Sequence, residues 1–198
     1  MNAARLDAVT IDAYGTLLTV ISPVSSLQEL LPAHDRESIE SAFRTEAAFY
    51  EQHSSEGRTT RELAQLHERS VAVFNDALGS SLSPSEYAAV FEFELLPGVR
   101  AALDALRAHG LSLAVVANWD ISLRARLETA GIAEYFRVVV PAARKPAADG
   151  ILEALRLLRV DASRTLHIGD TMSDERAAGA AGVGFLPAPL PEAVATLT

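Results

Sequence analysis

The chain of 198 residues carries a formal net charge of −9 and contains no cysteine. The acidic balance argues against a nucleic-acid partner, which needs clustered lysine and arginine, and the lack of cysteine excludes disulfides, thiolate nucleophiles and cysteine-bound zinc. No apolar run approaches the roughly 18 residues of a membrane span, and residues 1–8 lack the apolar segment of a signal peptide. We therefore expect a cytoplasmic protein without a membrane partner.

The first predicted element is a short buried strand that ends at a carboxylate. Val9 and Ile11 supply β-branched character, Asp12 follows them, and Gly15 ends the run. An aspartate at the carboxyl end of a strand, close before a glycine turn, lies where open parallel sheets bind ligands. Asp12 is therefore the first candidate site residue.

Residues 19–96 show helical periodicity, and no strand is predicted among them. A short helix is expected around residues 25–31, and the sequence Ser83-Pro84-Ser85-Glu86 has the cap and first-turn residues of a helix start. Three apolar stripes at helical spacing run through Ile39, Phe43, Ala47 and Tyr50, through Leu63, Leu66, Ser70, Phe74 and Ala77, and through Tyr87, Val90, Phe91 and Leu95. The segment is interpreted as a helical insertion.

From Pro97 onward, predicted helices and strands alternate. Strands are expected at residues 111–116, 138–140 and 165–168, and helices at residues 99–106, 121–130, 151–158 and 174–181, with a last helical stretch within 187–198. Alternation of this kind predicts an α/β fold with a doubly wound parallel sheet. The predicted organisation is a core domain of residues 1–18 and 97–198, interrupted by a helical domain of residues 19–96.

Polar residues follow each predicted strand and should converge at one edge of the sheet. They are Asn118, Lys145, Asp170 and Asp174, in addition to Asp12. Three carboxylates in one crevice repel each other unless a cation lies among them, and oxygen ligands suit magnesium. A lysine can bind a phosphate group, and a carboxylate beside a metal and a lysine is suited to nucleophilic attack through a covalent intermediate.

These residues resemble the four motifs of the haloacid dehalogenase-like (HAD) hydrolase superfamily, over nearly the whole chain. The matching stretches are Asp12-Ala13-Tyr14-Gly15-Thr16, Ala117-Asn118, Lys145-Pro146, and Gly169-Asp170 with Asp174. The resemblance implies that Asp12 is the nucleophile and that Lys145 steadies it. It also implies that magnesium is held by Asp12, the backbone carbonyl of Tyr14, Asp170 and Asp174, and that residues 19–96 form a small helical cap over the Rossmann-like core.

Two positions depart from the pattern of the family's phosphatases. Tyr14 stands where a second aspartate usually acts as general acid and base, and Ala117 stands where a serine or threonine usually binds phosphate. The sequence Asp-x-Tyr-Gly-Thr is similar to the 2-haloacid dehalogenase branch, which needs no metal. That branch, however, tends to carry Ser-Asn at the position of Gly169-Asp170, and it uses a cap arginine for which Arg36 and Arg44 are the candidates.

Further residues receive both a functional and a structural interpretation. Thr16 either binds substrate and orients Asp12 or caps the turn, and Trp119 either lines the substrate crevice or fills the junction between cap and core. Asn118 is expected to donate to anionic substrate oxygens. His167 is interpreted as a packing histidine of the core.

The favoured function is magnesium-dependent hydrolysis of a small phosphorylated metabolite through an aspartyl-phosphate on Asp12, with Tyr14 and Lys145 as further catalytic residues. The expected partner is thus a small anionic molecule. Two alternatives stay open: metal-free dehalogenation of a 2-haloacid, and a degenerate member that binds a phosphorylated ligand or a partner protein with little turnover.

Overall fold

The structure, a computed structural model, describes residues 6–197. The chain divides into two compact units, one formed by Val20–Phe93 and the other by the two flanking segments, up to Thr19 and from Glu94 onward. Within the described part of the chain, no helix combines the length and the apolar character that crossing a membrane requires.

The flanking segments form a unit around a five-stranded sheet. Its strands are β1 (Ala8–Ile11), β4 (Ser112–Val116), β5 (Val138–Val140), β6 (Thr165–Gly169) and β7 (Gly184–Pro187). Their spatial order is β5-β4-β1-β6-β7, and all four pairings are parallel. Because β1 lies at the centre, Ile11 pairs with Val115 on one side and with Ile168 on the other. The predicted doubly wound parallel sheet is confirmed.

Helices flank this sheet as its apolar strands require. They are α5 (Val99–Ala108), α6 (Leu123–Thr129), α7 (Asp149–Leu158), α8 (Met172–Ala181) and α9 (Leu190–Ala195). Helices α7 and α8 contact each other and pack on a cluster that includes Ala114 and Val116, whereas α5 and α9 form a second contacting pair. Strand β7 was not predicted, because Gly184 and Pro187 at its ends indicate a loop rather than a strand.

Residues 20–93 form a helical unit with its own core. Its helices are α1 (Val24–Leu30), α2 (Arg36–His53), α3 (Thr60–Leu78) and α4 (Pro84–Ala89). Their facing apolar residues make one buried cluster that includes Leu27, Ile39, Phe74 and Tyr87. The predicted cap at Ser83 is present, since its side chain and that of Glu86 bond reciprocally to each other's backbone N–H groups.

The prediction that residues 19–96 contain no strand is wrong. Strand β2 (Leu18–Ile21) pairs with β3 (Glu92–Leu95) in a separate two-stranded sheet. The third predicted helix therefore ends at Ala89 instead of continuing to Leu95. Phe91 and Leu95 fit a helical stripe with Tyr87, but pairing with β2 supplies strand partners for residues 92–95, and this tertiary contact outweighs the local periodicity.

Glu46 is an ionisable group buried in the core of the helical unit. Ser70 Oγ donates to Glu46 Oε1, and the Tyr87 hydroxyl donates to Oε2 at 2.8 Å. These contacts connect α2, α3 and α4. Burial nevertheless raises the pKa of Glu46 above its ordinary value of 4.5, because desolvation outweighs the two hydrogen bonds.

We expect Glu46→Gln to flatten the pH dependence of stability. A raised pKa means that the folded state binds the proton more tightly than the unfolded state, so this contribution is present below the unfolded pKa and is lost as pH rises through the folded pKa. Urea denaturation from about pH 4 to about pH 7.5 should show a smaller fall in unfolding free energy in Glu46→Gln than in the wild type. The exposed Glu68 of α3 supplies the control Glu68→Gln, and equal slopes for all three proteins would contradict the assignment.

Candidate active site

The carboxyl ends of the parallel strands bring the predicted polar residues to one edge of the sheet. Asp12 directly follows β1, Asp170 directly follows β6, and Asp174 lies in the first turn of α8. Each of the three carboxylates has an oxygen within 4.8 Å of an oxygen of the others. The order of the parallel strands thus brings three acidic residues into one cluster.

Lys145 bridges this cluster. Its ammonium group donates to Asp12 Oδ1 and also to Asp174 Oδ1. The three side chains are almost fully buried, with 4% of Lys145, 9% of Asp12 and 1% of Asp174 exposed. Charge-assisted hydrogen bonds of this kind are stronger than neutral ones, and burial shields them from screening by salt.

The two carboxylates bound by Lys145 differ in proton affinity. Burial raises the pKa of Asp12 to about 6, although the positive charge of Lys145 opposes this rise. Burial also favours a raised pKa at Asp174, but hydrogen bonds from His167, Lys145 and Thr171 and the charge of Lys145 outweigh it, so this pKa lies well below its usual range. Asp174 is therefore the more acidic carboxyl group of the pair, and Asp12 is the more basic one.

Asp174 accepts four hydrogen bonds. Oδ1 accepts from Lys145 Nζ and, at 3.0 Å, from His167 Nε2. Oδ2 accepts from Thr171 N at 3.2 Å and from Thr171 Oγ1 at 2.5 Å, as part of the capping box that begins α8. An ionised carboxylate offers about four lone-pair sites, so these partners use the acceptor capacity of Asp174.

Two glycines make room for the carboxylates. Gly15 has φ +79°, and a Cβ built on it would lie 2.1 Å from Asp170 Oδ2. A Cβ on Gly169 would lie 2.4 Å from the carboxylate carbon of Asp174. The backbone at both positions is thus in direct contact with an acidic side chain, a close approach that only glycine permits.

Asn118 holds the loop that carries Lys145. Its side-chain nitrogen donates to the Lys145 carbonyl oxygen at 2.9 Å, and its side-chain oxygen accepts from Lys145 N at 2.7 Å. These two hydrogen bonds connect the end of β4 to the segment after β5. The predicted hydrogen bond from Asn118 to substrate stays a prediction, and its observed partner is the backbone of Lys145.

Tyr14 and Trp119 lie beside each other at the same edge. Their ring centroids are 6.5 Å apart in an edge-to-face arrangement of 61°. Tyr14 is 52% exposed, whereas Trp119 is only 7% exposed, and its Nε1 donates to Ser122 Oγ at 3.2 Å. Tyr14 is thus accessible to a small molecule, and Trp119 supports it.

Thr16 is buried without a hydrogen-bond partner for its hydroxyl. Among the buried side-chain nitrogen and oxygen atoms of residues 6–197, Thr16 Oγ1 is the one without a hydrogen-bond partner. With Gly15 and Asp170 it lines a groove of ≈ 440 Å³ in the core unit, whose other wall is formed by residues 96–99 and 188–192. A buried unsatisfied hydroxyl typically costs about 1–3 kcal/mol, so Thr16 is a polar group whose burial in this fold is not compensated by a hydrogen bond.

The donor set fits a hard divalent cation. Asp12, Asp170 and Asp174 offer only oxygen atoms, the ligands that magnesium prefers. Three carboxylates against the single ammonium of Lys145 leave two negative charges in excess. Since Asp174 already accepts four hydrogen bonds, Asp12 and Asp170 have the more available oxygens.

Sequence reasoning assigned His167 to the core and missed its contact with the site. The residue is completely buried on β6, yet its ring bonds to Thr10 and to Asp174. A signal was present in the sequence, because a polar residue within an otherwise apolar strand needs a hydrogen-bond partner. The two candidate cap arginines, Arg36 and Arg44, are both exposed on α2, and Arg36 pairs with Glu40.

In comparisons with known proteins, residues 6–182 match the family of haloacid dehalogenase-like hydrolases. The phosphoglycolate phosphatase of Cupriavidus necator is 38% identical over 94 residues, 45% of this chain and 41% of that protein. Haloacid dehalogenase-like hydrolase domain-containing protein 3 of Bos taurus is 40% identical over 111 residues, 52% of this chain and 44% of that protein. The matches thus span less than half the length of these two relatives.

Solved structures also match the fold. L-2-haloacid dehalogenase from Xanthobacter autotrophicus has a TM-score of 0.70 at 20% identity, over 91% of this chain and 76% of that chain. A HAD phosphatase from Thermococcus onnurineus has a TM-score of 0.58 at 23% identity, over 91% of this chain and 85% of that chain. At such identities the likeness shows a common fold and does not distinguish between the two chemistries.

Replacing Gly15 should cost stability and displace Asp170. Alanine at a positive φ is strained by about 1–3 kcal/mol, and its Cβ would force the Asp170 carboxylate to move. We expect Gly15→Ala to lower the unfolding free energy by at least about 1 kcal/mol in urea denaturation. Gly179 is the matched control, because it is exposed within α8 with nothing within 4 Å of an added Cβ. Gly179→Ala should be neutral or stabilising, and equal effects of both changes would contradict the close approach.

Proposed function

Since the chain belongs to the haloacid dehalogenase-like hydrolase family, we propose that it is a magnesium-dependent phosphatase that acts on a small phosphorylated metabolite through Asp12. One observation carries this proposal: a buried carboxylate, paired with Lys145, lies within an acidic cluster suited to a divalent cation. Curated relatives named as phosphoglycolate phosphatases support the reaction class. Their partial overlap leaves the substrate open within the class of small anionic phosphate esters.

The first chemical step would use Asp12 as the nucleophile. A carboxylate oxygen of Asp12 attacks phosphorus, the bond from phosphorus to the leaving oxygen breaks, and an aspartyl-phosphate forms. Lys145 holds Asp12 in place through its hydrogen bond to Oδ1. Its positive charge also offsets charge on the transferred group, as lysine does at phosphate sites. The half-exposed Tyr14 would protonate the leaving oxygen.

The second step would restore Asp12. Tyr14 regains its proton from solvent, water attacks phosphorus and loses its proton to solvent, the bond between phosphorus and the Asp12 oxygen breaks, and inorganic phosphate leaves. A neutral phenol can donate a proton but is a poor base, so Tyr14 is suited to protonating the leaving oxygen and poorly suited to activating water. We therefore propose that this step is slower than the first and limits turnover.

Magnesium would be held by carboxylate oxygens of Asp12 and Asp170, with the backbone carbonyl of Tyr14 and Asp174 as further candidates. When bound, it would supply positive charge that stabilises the transferred phosphoryl group. The four hydrogen bonds of Asp174 favour Asp12 and Asp170 as the direct carboxylate ligands.

Other residues would bind and select the substrate. The unsatisfied Thr16 hydroxyl supports a contact with substrate oxygens, and Trp119 would act through its edge-to-face contact with the exposed ring of Tyr14. We propose that the helical unit of residues 20–93 is a cap that excludes water and selects the substrate.

Tyr14 favours a second candidate, metal-free hydrolysis of a 2-haloacid through an ester on Asp12. The tyrosine replaces the second aspartate of phosphatases, and the accompanying loss of a base is compatible with that chemistry. Asp170 and Asp174 weigh against it, because a halide leaving group needs no acidic metal cluster. This alternative also requires a cap arginine, and its two candidates, Arg36 and Arg44, are both exposed.

Magnesium should stabilise the folded protein. A ligand that binds only the folded state raises its stability by mass action, by about 2.7 kcal/mol at one hundred times its dissociation constant. We expect the melting temperature to rise with magnesium in a thermal-shift titration, and Asp170→Asn to abolish this rise.

The control is Asp76→Asn, which removes an exposed carboxylate of α3 and should leave the magnesium effect intact. A melting temperature that does not respond to millimolar magnesium in the wild type would refute the metal and strengthen the dehalogenase alternative. Hydrolysis of a panel of phosphate esters and 2-haloacids, with and without magnesium, separates these two, and turnover of neither would identify a degenerate member.

Tyr14→Asp should accelerate steady-state hydrolysis of phosphate esters. General acid–base catalysis typically contributes roughly 10²–10⁴-fold in rate, and an aspartate at this position can activate water where tyrosine cannot. The wild type should therefore release one equivalent of alcohol in a burst, followed by slow turnover, and should prefer aryl or acyl phosphates over alkyl phosphates. Stopped-flow assays with an aryl phosphate measure both phases.

Asp12→Asn serves as the companion variant and should eliminate both the burst and the turnover. Activity retained by Asp12→Asn would exclude this residue as the nucleophile. If Tyr14→Asp instead slows an enzyme that cleaves haloacids without metal, the dehalogenase alternative is correct.

A further inference from the structure

A buried chain of hydrogen bonds behind the candidate site connects strand β1 to Lys145. Thr10 Oγ1 lies 2.9 Å from His167 Nδ1, and His167 Nε2 lies 3.0 Å from Asp174 Oδ1. The same Asp174 oxygen accepts a hydrogen bond from the ammonium group of Lys145. Thr10 and His167 are both 0% exposed, so bulk water cannot replace these bonds.

The chemistry of the partners sets the direction of each bond. Asp174 is ionised and can only accept, so the proton of the contact belongs to His167 Nε2. With that proton on Nε2, the ring has a lone pair on Nδ1, which lies 2.9 Å from Thr10 Oγ1 and can accept from its hydroxyl. The alternative acceptor for Thr10, the Leu166 carbonyl oxygen, lies farther away at 3.3 Å.

We propose that His167 is a positioning residue for the reaction at Asp12, and that Thr10 sets its tautomer. The Nε2–H group holds Asp174 Oδ1 where Lys145 bonds to it. Asp174 in turn holds the ammonium group of Lys145 against Asp12 Oδ1. His167 acts through Asp174, not on the substrate, and this inference rests on the proposed function because it concerns the same nucleophile.

His167 and the Thr171 capping box hold different oxygens of Asp174. Thr171 fixes only Oδ2 of Asp174, through its backbone N–H and its hydroxyl. Among the described residues, Oδ1 accepts hydrogen bonds from Lys145 and His167, and Lys145 is the group whose position matters for Asp12. Without His167, Asp174 Oδ1 would lose the donor that is held in place on strand β6, and Lys145 would be its remaining partner. Removing such supporting groups typically costs roughly 10–100-fold in metal affinity or activity.

The tautomer can be measured without substrate or metal. Nitrogen-15 NMR of histidine-labelled protein at neutral pH should show a proton of His167 on Nε2 and a hydrogen-bonded lone pair on Nδ1. Thr10→Val should shift this ring toward a mixture of tautomers, whereas Thr10→Ser, which keeps the hydroxyl, should preserve the wild-type signal. A ring with its proton on Nδ1, or no difference between the valine and serine variants, would overturn the proposal.

Kinetics distinguish positioning from simple packing. With p-nitrophenyl phosphate and magnesium, His167→Leu should lower kcat roughly 10–100-fold and leave KM nearly unchanged, because no substrate contact is removed. His167→Gln, whose amide can donate to Asp174, should recover most of kcat at a similar melting temperature. Equal kcat losses in both variants, in proportion to lost stability, would show that His167 only fills the core. A wild type inactive on phosphate esters would overturn the proposed function alone, since the NMR measurement would still decide the role of His167.

Discussion

The rest of the site depends on one interaction, the pairing of the Lys145 ammonium group with the carboxylates of Asp12 and Asp174. Burying a carboxylate without a partner is costly, and this protein buries both Asp12 and Asp174 at the carboxyl edge of its sheet. One cation pairs with both of them. The position of that cation is itself determined by a distant strand, because Asn118 at the end of β4 bonds to both backbone groups of Lys145. Pairing of the strands therefore also places Lys145 beside the two carboxylates.

The sequence predicted the parallel sheet well, because buried parallel strands are continuous apolar runs and polar residues follow each run at the carboxyl end. It failed where local pattern and tertiary pairing disagree. Phe91 and Leu95 repeat at helical spacing, but β3 forms because β2 offers backbone partners across an insertion of some seventy residues. Strand β7 carries glycine and proline at its ends and becomes a strand only because β6 lies beside it.

Residue types in the site were predictable, whereas their partners were not. Convergence of Asp12, Lys145, Asp170 and Asp174 follows from strand order, which the sequence implies. The hydrogen bonds of Asn118 and His167 depend on which backbone or carboxylate group faces them, at separations of 27 and 7 residues along the chain. A side chain that can both donate and accept has no preferred partner until the fold supplies one, and the amide of Asn118 anchors the loop that carries Lys145.

Tyr14 changes the charge of the site as well as its proton chemistry. A second aspartate at this position would add a fourth carboxylate to an edge where a single lysine supplies the opposing charge. With tyrosine, the described cluster carries two excess negative charges, which one divalent cation can neutralise. The pKa of Asp12, raised to about 6 by burial, is lowered by such a cation, because positive charge favours the ionised form. Under the proposed function, tyrosine at this position would remove a base and leave Asp12 compatible with a divalent cation. Formation of a covalent intermediate would then depend on the Asp12–Lys145 pair, whereas its hydrolysis would depend on a water activation that Tyr14 does not strongly provide.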